Sequence, residues 1–468
     1  MRRQPRLLAA ASVAVALAAG MLAAVAPSAS AAGSGLSGDF DGDGHRDVAV
    51  ASGGGAGRVT VLYGSAQGID AARRVVIDQN SPGVPGANEA DDRFGAALVA
   101  ADLDRDGYSD LVVAAPGERF TADLAKRGSL TVLWGGPKGL QGGTGLPVCA
   151  EARQLSAADV DRDGRTDLLV NENGGVTVVR GPFTRTGGTG RITRQSVNAH
   201  PGDMAVADFD GDGRVDLLMS EQVPYESDSD TQYYTRYLKG TADGFVLKRT
   251  WPWARQHGAV AAGDLNHDGY ADVALGSDSA VDSVVTVVYG SAAGLGGGRA
   301  NQRITQDTAG VPGTDEPGDN WGDALSIGDV DGDHYPDLAI GAWGEELASV
   351  QDTGSVTLLR GSSHGLVATG AQMLTQDSPG VPGHSEKEDG FGTSLLLTDT
   401  NRDGRADLVV SASGLQYGPD TGFGTVGENG GAGMVWRLPA TAKGLTGTGS
   451  TLYGGPAGAM WFGSPLAG

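Results

Sequence analysis

The sequence predicts an all-β chain, a seven-bladed β-propeller of four-stranded antiparallel blades with a cation-binding loop between strands 1 and 2 of each blade. Three observations predict it. An acidic frame, D-x-[DN]-x-D-G-x-x-D, begins at Asp39, Asp102, Asp159, Asp208, Asp264, Asp329 and Asp399, at spacings of 49 to 70 residues, with His334 in place of the glycine in the sixth copy. Short runs rich in apolar and β-branched residues flank each copy. Glycine-rich turns separate those runs, and 78 of the 468 residues are glycine. A repeat near 60 residues holding four short strands describes one blade.

Taken in order along a unit, the first strand is a short apolar segment such as Phe94 to Ala100. The acidic loop follows, and then a buried strand, seen as Leu111 to Val113, Leu168 to Val170, Leu338 to Ile340 and Leu408 to Val410. The third strand is Gly57 to Gly64, echoed at Gly128 to Gly135, Gly174 to Gly181, Ser283 to Gly290 and Gly354 to Gly361. A Gly-Ser-x-x-Gly turn leads to a more polar fourth strand, for example Arg73 to Gln79. No linker separates the units, so residues 32–468 read as one domain whose neighbouring repeats share a core.

Each loop gathers oxygens around one point. The side-chain ligands are Asp39, Asp41, Asp43 and Asp47; Asp102, Asp104, Asp106 and Asp110; Asp159, Asp161, Asp163 and Asp167; Asp208, Asp210, Asp212 and Asp216; Asp264, Asn266, Asp268 and Asp272; Asp329, Asp331, Asp333 and Asp337; and Asp399, Asn401, Asp403 and Asp407. The carbonyls of His45, Tyr108, Arg165, Arg214, Tyr270, Tyr335 and Arg405 complete the sets at position 7. An all-oxygen set of this size suits calcium, up to seven ions in all, rather than zinc or the tighter octahedron of magnesium. Glycine at position 6 supplies the positive φ that wraps the chain around the ion. An EF-hand would place a bidentate glutamate at position 12, where this chain has Val50, Val113, Val170, Met219, Leu275, Ile340 and Val410. The EF-hand reading therefore fails. Asn266 and Asn401 each remove a charge, so their loops are expected to hold calcium more weakly, and His334 is expected to add backbone strain.

The net charge of −23 argues against nucleic acid and anionic lipid as partners. The loops account for 26 of the 57 acidic residues, so much of that charge is metal-site charge. Residues 1–31 have the pattern of an export signal, with basic Met1 to Arg6, apolar Leu7 to Ala26 and small residues at Ala29-Ser30-Ala31. Its removal leaves no membrane span and predicts a secreted protein. Cys149 is the lone cysteine, expected to be a partly buried, unreactive thiol, so packing or metal must replace disulfides.

No catalytic constellation emerges. Neither H-E-x-x-H nor a P-loop is present. Gly361-Ser362-Ser363-His364-Gly365 has the form of a nucleophile elbow, but the same turn recurs as Gly64 to Gly68 and Gly290 to Gly294 without the central serine.

These motifs resemble the FG-GAP repeat family, which includes the N-terminal propellers of integrin α-subunits. The "FG" stands as Phe94-Gly95, Phe391-Gly392 and, altered, Trp321-Gly322, each eight residues before its loop. The "GAP" stands as Ala114-Ala115-Pro116 and Gly341-Ala342-Trp343. The resemblance implies calcium loops on the lower face and partners on the opposite face. There the long connections Glu118 to Arg127, Ser220 to Thr231, Glu345 to Thr353 and Ser413 to Gly430 are expected between strands 2 and 3. The segment Gln79 to Gly86, repeated as Gln306 to Gly313 and Gln376 to Gly383, is expected between blades. The ligand surface is therefore expected on blades 1, 2, 6 and 7, with Tyr417, Trp343, Glu345 and Glu346 as candidates. The function implied is a non-catalytic, monomeric binding or adhesion module for an extracellular protein or glycan; the alternatives are a lectin and a polysaccharide-active extracellular enzyme.

The ends suggest how the ring closes. The first loop lacks an FG before it, while Trp461-Phe462-Gly463-Ser464 carries an FG with no loop after it. The C-terminal strand is therefore expected to pack as, or beside, the inner strand of blade 1.

Overall fold

The computed structural model of the chain describes residues 34–119, 127–196, 200–223, 232–253, 257–277, 283–412, 415–416, 425–426, 433–456, 459 and 461–468. The predicted signal segment and Tyr417 lie outside them. Residues 32–468 form one compact unit. Every regular element among the described residues is a strand, and these form seven four-stranded antiparallel sheets and two small ribbons.

Blade 1 comprises Phe462–Ala467, Val48–Ser52, Arg58–Leu62 and Arg74–Ile77, and blade 2 Ala97–Ala101, Asp110–Arg119, Arg127–Trp134 and Gln141–Gly145. Blade 3 comprises Gln154–Ala158, Asp167–Glu172, Gly175–Val179 and Ile192–Ser196, and blade 4 His200–Ala207, Asp216–Val223, Gln232–Thr241 and Gly244–Trp253. Blade 5 is His257–Gly263, Asp272–Ser277, Val284–Val288 and Gln302–Ile304, and blade 6 Ala324–Gly328, Asp337–Ala342, Ser355–Arg360 and Val367–Leu374. Blade 7 is Phe391–Thr398, Asp407–Ala412, Met434–Leu438 and Thr451–Gly454. The first strands of successive blades touch one another around the ring, and the C-terminal strand touches both Phe391–Thr398 and Ala97–Ala101. The ring is closed.

Alternation along the second strands explains their unbroken apolar sequence. In blade 2, Leu111 and Val113 enter the cluster shared with blade 1, while Val112 and Ala114 enter the one shared with blade 3. Side chains of a strand alternate between faces, and here both faces are covered. Each pair of neighbouring blades shares one such cluster.

The FG aromatic is the wedge between blades. Phe94, Trp321, Phe391 and Phe462 are all fully buried, each in the cluster joining its blade to the preceding one. The following glycine has φ of 102° to 115° in Gly392 and Gly463, and a Cβ on Gly463 would come within 2.4 Å of Ser411 Cβ. Only glycine fits that bend without cost. Phe462-Gly463 therefore gives blade 1 the FG that its own N-terminal leader lacks. The register agrees: Ala467 pairs with Ala49 as Val99 pairs with Val112 in blade 2.

Some expectations need correction. The loop expected over Glu118 to Arg127 begins while strand 2 still runs, to Arg119, and Ser220 to Val223 belong to a strand. Blade 4 extends its strands here because Thr235 and Tyr234 continue the ladder opposite Ser220 and Glu221. Within Ser413 to Gly430 a ribbon pairs Leu415–Gln416 with Thr425–Val426. Cys149 is exposed, because it lies between blades 2 and 3 outside any strand.

Candidate metal centre

The seven acidic loops share one hydrogen-bond plan. Position 1 accepts the amide N–H of position 6 at 2.7–3.1 Å in all seven, from Gly44 donating to Asp39 through Gly404 donating to Asp399. Position 5 accepts the N–H of position 7 at 2.8–3.0 Å, again in all seven. Carboxylate oxygens of each set are thereby drawn together. Oxygens of Asp39, Asp41 and Asp43 lie within 4.8 Å of one another, as do those of Asp102, Asp104 and Asp110, of Asp159, Asp161 and Asp167, and of Asp208, Asp210 and Asp216. Ligands 2.3–2.6 Å from one calcium ion would be spaced in this way.

His334 occupies position 6 with φ 71° and still donates its N–H to Asp329 at 2.9 Å. Position 4 is also left-handed in every loop, including Arg105, Arg162, His267 and Arg402. The sequence reading missed this second bend, since the residue there varies between Gly, Arg and His.

Position 9 has a second task. Asp47, Asp110, Asp167, Asp216, Asp272, Asp337 and Asp407 are at most 1% exposed. Each accepts, at 2.7–3.0 Å, an amide N–H from a residue near the end of strand 3: Gly64, Gly135, Gly181, Gly240, Gly290, Gly361 and Ala440. The other oxygen takes the position-2 N–H in six loops, and the Thr400 hydroxyl in the seventh. Burial, ahead of the neighbouring carboxylates, pushes Asp47 up to about 8, Asp110 and Asp272 to about 7, and Asp216 and Asp337 to about 6. A cation beside these groups would return them to the charged form.

Basic side chains also enter six of the loops. Arg73 pairs with Asp41 and Asp43, and Arg185 with Asp104 at 2.8 Å and Asp106 at 2.7 Å. Arg180 reaches Asp167 at 2.7 Å, Lys239 reaches Asp210 and Asp212, Arg360 lies 3.2 Å from both Asp331 and Asp337, and Arg437 lies 2.8 Å from Asp407. Arg180, Lys239 and Arg360 each stand immediately before the glycine that bonds position 9, where blades 1, 2 and 5 have Tyr63, Trp134 and Tyr289. Even so, Asp102 Oδ1 and Asp104 Oδ1 remain buried without a hydrogen-bond partner. These orphaned oxygens and the all-oxygen donor sets fit a hard divalent cation.

On the opposite face, Trp343 donates its indole N–H to Asp323 at 2.8 Å, Glu345 is buried and Glu346 is exposed. Glu346 lines a cleft of about 560 Å³ with Glu316, Asp319, Ser349, Gln351 and Asp352. Among the described residues of the expected ligand surface, Glu346 is thus placed on an open cleft, and Tyr417 lies outside them.

Comparison with known proteins agrees with the repeat. The FG-GAP repeat model matches residues 94–133, 321–359 and 391–436, and the FG-GAP-like repeat model matches 39–113 and 159–219. Integrin alpha pat-2 of Caenorhabditis briggsae is 34% identical over 292 residues, 59% of this chain and 20% of that protein. Phosphatidylinositol-glycan-specific phospholipase D of Mus musculus is 29% identical over 168 residues, 34% of this chain and 19% of that protein. The chain thus spans about a fifth of the length of these relatives. Among solved structures, dihydro-heme d1 dehydrogenase NirN is similar with a TM-score of 0.43 and 14% identity, covering 90% of this chain and 74% of that one. With repeat models matched in blades 1, 2, 3, 4, 6 and 7 and the same loop and strand plan in all seven, the chain belongs to the FG-GAP repeat family.

Proposed function

We propose that this protein is a secreted, calcium-binding FG-GAP propeller that serves as a non-catalytic binding module, with calcium in the lower-face loops and an extracellular protein or glycan partner on the opposite face. The observation that carries the calcium reading is the seven-fold repetition of one loop geometry, with orphaned carboxylate oxygens in the second loop. Each ion would tie the turn between strands 1 and 2 to the end of strand 3 through position 9. The residues that would hold it are those at positions 1, 3, 5 and 9, with the position-7 carbonyl. Residues 1–31 would serve as the export signal and be removed, and the mature chain would act as a monomer.

The binding role is supported by the likeness to integrin α-subunits and by the acidic cleft beside Glu346. Calcium-dependent capture on an array of glycans and matrix proteins tests it; an array blank both with and without calcium would refute it. Retention of the chain by glycans alone would favour the lectin form of the reading. The similarity to a phosphatidylinositol-glycan-specific phospholipase D supports a second reading, an extracellular enzyme acting on a glycan. Turnover on a glycan and glycolipid panel, abolished by substituting an acid outside the seven loops, would replace the first reading with this one.

A further inference from the structure

A second arrangement of acids recurs on the face opposite the loops. The strand Asp110–Arg119 carries Asp110 at the loop end and Glu118 near the other, eight residues and roughly 26 Å away at strand rise. There, single oxygens of Glu89, Asp92 and Glu118 lie within 4.8 Å of one another. Asp92 is 1% exposed; its carboxylate accepts the Glu89 N–H at 2.7 Å and its carbonyl accepts the Gly117 N–H at 3.1 Å. Gln79, 2% exposed, donates Nε2 to Glu118 Oε2 at 2.6 Å, which brings its amide head into the triad. Its carbonyl oxygen, Oε1, is buried there and has no hydrogen-bond partner.

Blade 6 repeats the hydrogen-bond plan and the orphaned carbonyl. Asp319, 2% exposed, accepts the Glu316 N–H at 3.0 Å, and its carbonyl accepts the Gly344 N–H at 3.1 Å. Gln306, also 2% exposed, donates Nε2 to Glu345 Oε2 at 2.8 Å, and Gln306 Oε1 is again buried without a partner. In both copies the glutamine and the glutamate are 39 residues apart in the chain.

Two costs are unmet in each copy. A buried carbonyl lacking a partner has lost its hydration without compensation, and gathered carboxylates repel. Arginine or lysine offsets the acids of six lower-face loops, whereas no such ion pair reaches these upper acids among the described residues. One cation would satisfy both, with three carboxylates and an amide carbonyl as ligands. A set of oxygens alone selects a hard divalent ion of the calcium class.

Blade 7 serves as an internal control. Asp389 accepts the Glu386 N–H at 2.9 Å as before, but Leu415 stands eight residues after Asp407, where Glu118 follows Asp110 and Glu345 follows Asp337. Gln376 Nε2 turns instead to Asp389 Oδ2 at 3.1 Å, and its carbonyl is not among the orphaned oxygens. The orphan accompanies the third acid.

We propose that the upper face holds two further divalent-cation sites, one formed by Gln79, Asp92, Glu118 and Glu89, the other by Gln306, Asp319, Glu345 and Glu316. Each would fasten the connection between blades to the end of strand 2, beside the connections that would meet a partner. The test is the number of calcium ions bound by the chelator-stripped chain, counted by native mass spectrometry for wild type and for the Glu118→Gln/Glu345→Gln variant. The expected result is two fewer ions in the variant, however many the loops take up; an equal count overturns the proposal. Should the variant fail to fold, wild-type crystals grown with terbium(III) decide. Anomalous peaks beside Gln79 Oε1 and Gln306 Oε1 sustain the two sites, and an ordered map without them rejects both.

Discussion

Asp110 accepts the amide N–H of Gly135 at 2.9 Å with one carboxylate oxygen and that of Leu103 at 2.9 Å with the other, so one buried side chain joins the acidic loop to the end of strand 3. Asp110→Ala would leave two buried donors unpaired, at about 1–3 kcal/mol each. The expected loss is about 3 kcal/mol in chelator and more in calcium, read from chemical denaturation. Asp106, exposed and accepting the N–H of Tyr108, supplies the contrast. Asp106→Ala should lower calcium uptake while costing about 1 kcal/mol or less in chelator.

Stability should depend on pH in opposite senses with and without calcium. Burial holds Asp47, Asp110, Asp272, Asp216 and Asp337 between about 6 and 8 when folded, against 3.8 for the ordinary group. The folded, metal-free chain then binds more protons than the unfolded chain, so its stability falls as pH rises from about 4 to about 8 and levels above that. Calcium held by the loops would need the deprotonated form, so its affinity should rise over the same window. Melting temperature in chelator should drop between pH 5 and pH 8, and in millimolar calcium it should hold or rise. Parallel curves would contradict the assignment of the loops as metal sites.

Lys239 places an ammonium against Asp210 and Asp212, in the space a calcium ion would share. Coulomb repulsion between a unit charge and a divalent ion about 4 Å apart amounts to about 2 kcal/mol even at the dielectric constant of water. Lys239→Met should therefore tighten the fourth loop's calcium affinity by about tenfold or more, measured by calorimetry, at some loss of stability in chelator. The fifth loop is the internal reference, because no lysine or arginine pairs with its acids among the described residues.

Much of this architecture was legible because its signals are local. A metal loop needs its oxygens at fixed spacing within nine residues, so seven copies stand out despite weak similarity elsewhere. The FG aromatics were legible in four blades, Phe462 among them, because the third, fourth and fifth loops are preceded at that spacing by Glu151, His200 and Gln256. Strand ends were less legible, as with Asp216–Val223, where cross-strand pairing extends a segment that local composition ends early. Least legible were contacts between distant elements. Nothing near Lys239 marks it as a neighbour of Asp210, 29 residues away, until the register of strand 3 is known. The pairing of Gln79 with Glu118 is hidden in the same way, although the shared 39-residue separation in two units was a signal within reach.

Phe462 provides the sharpest test of ring closure. It is fully buried in the cluster that joins blade 7 to blade 1, with Val50, Val409 and Val435, and the strand it begins pairs Ala467 with Ala49 and Leu466 with Val50. Phe462→Ala should cost about 3–5 kcal/mol, as for other buried aromatics. Truncation after Gly458 removes the wedge and also the strand, leaving Val48–Ser52 as an open edge with its apolar face uncovered. The full chain should unfold in one cooperative step, and the truncated one at a much lower midpoint, with a tendency to associate through that edge. A truncated chain that matched the full one in melting temperature and remained monomeric would mean that the C-terminal strand does not close the ring.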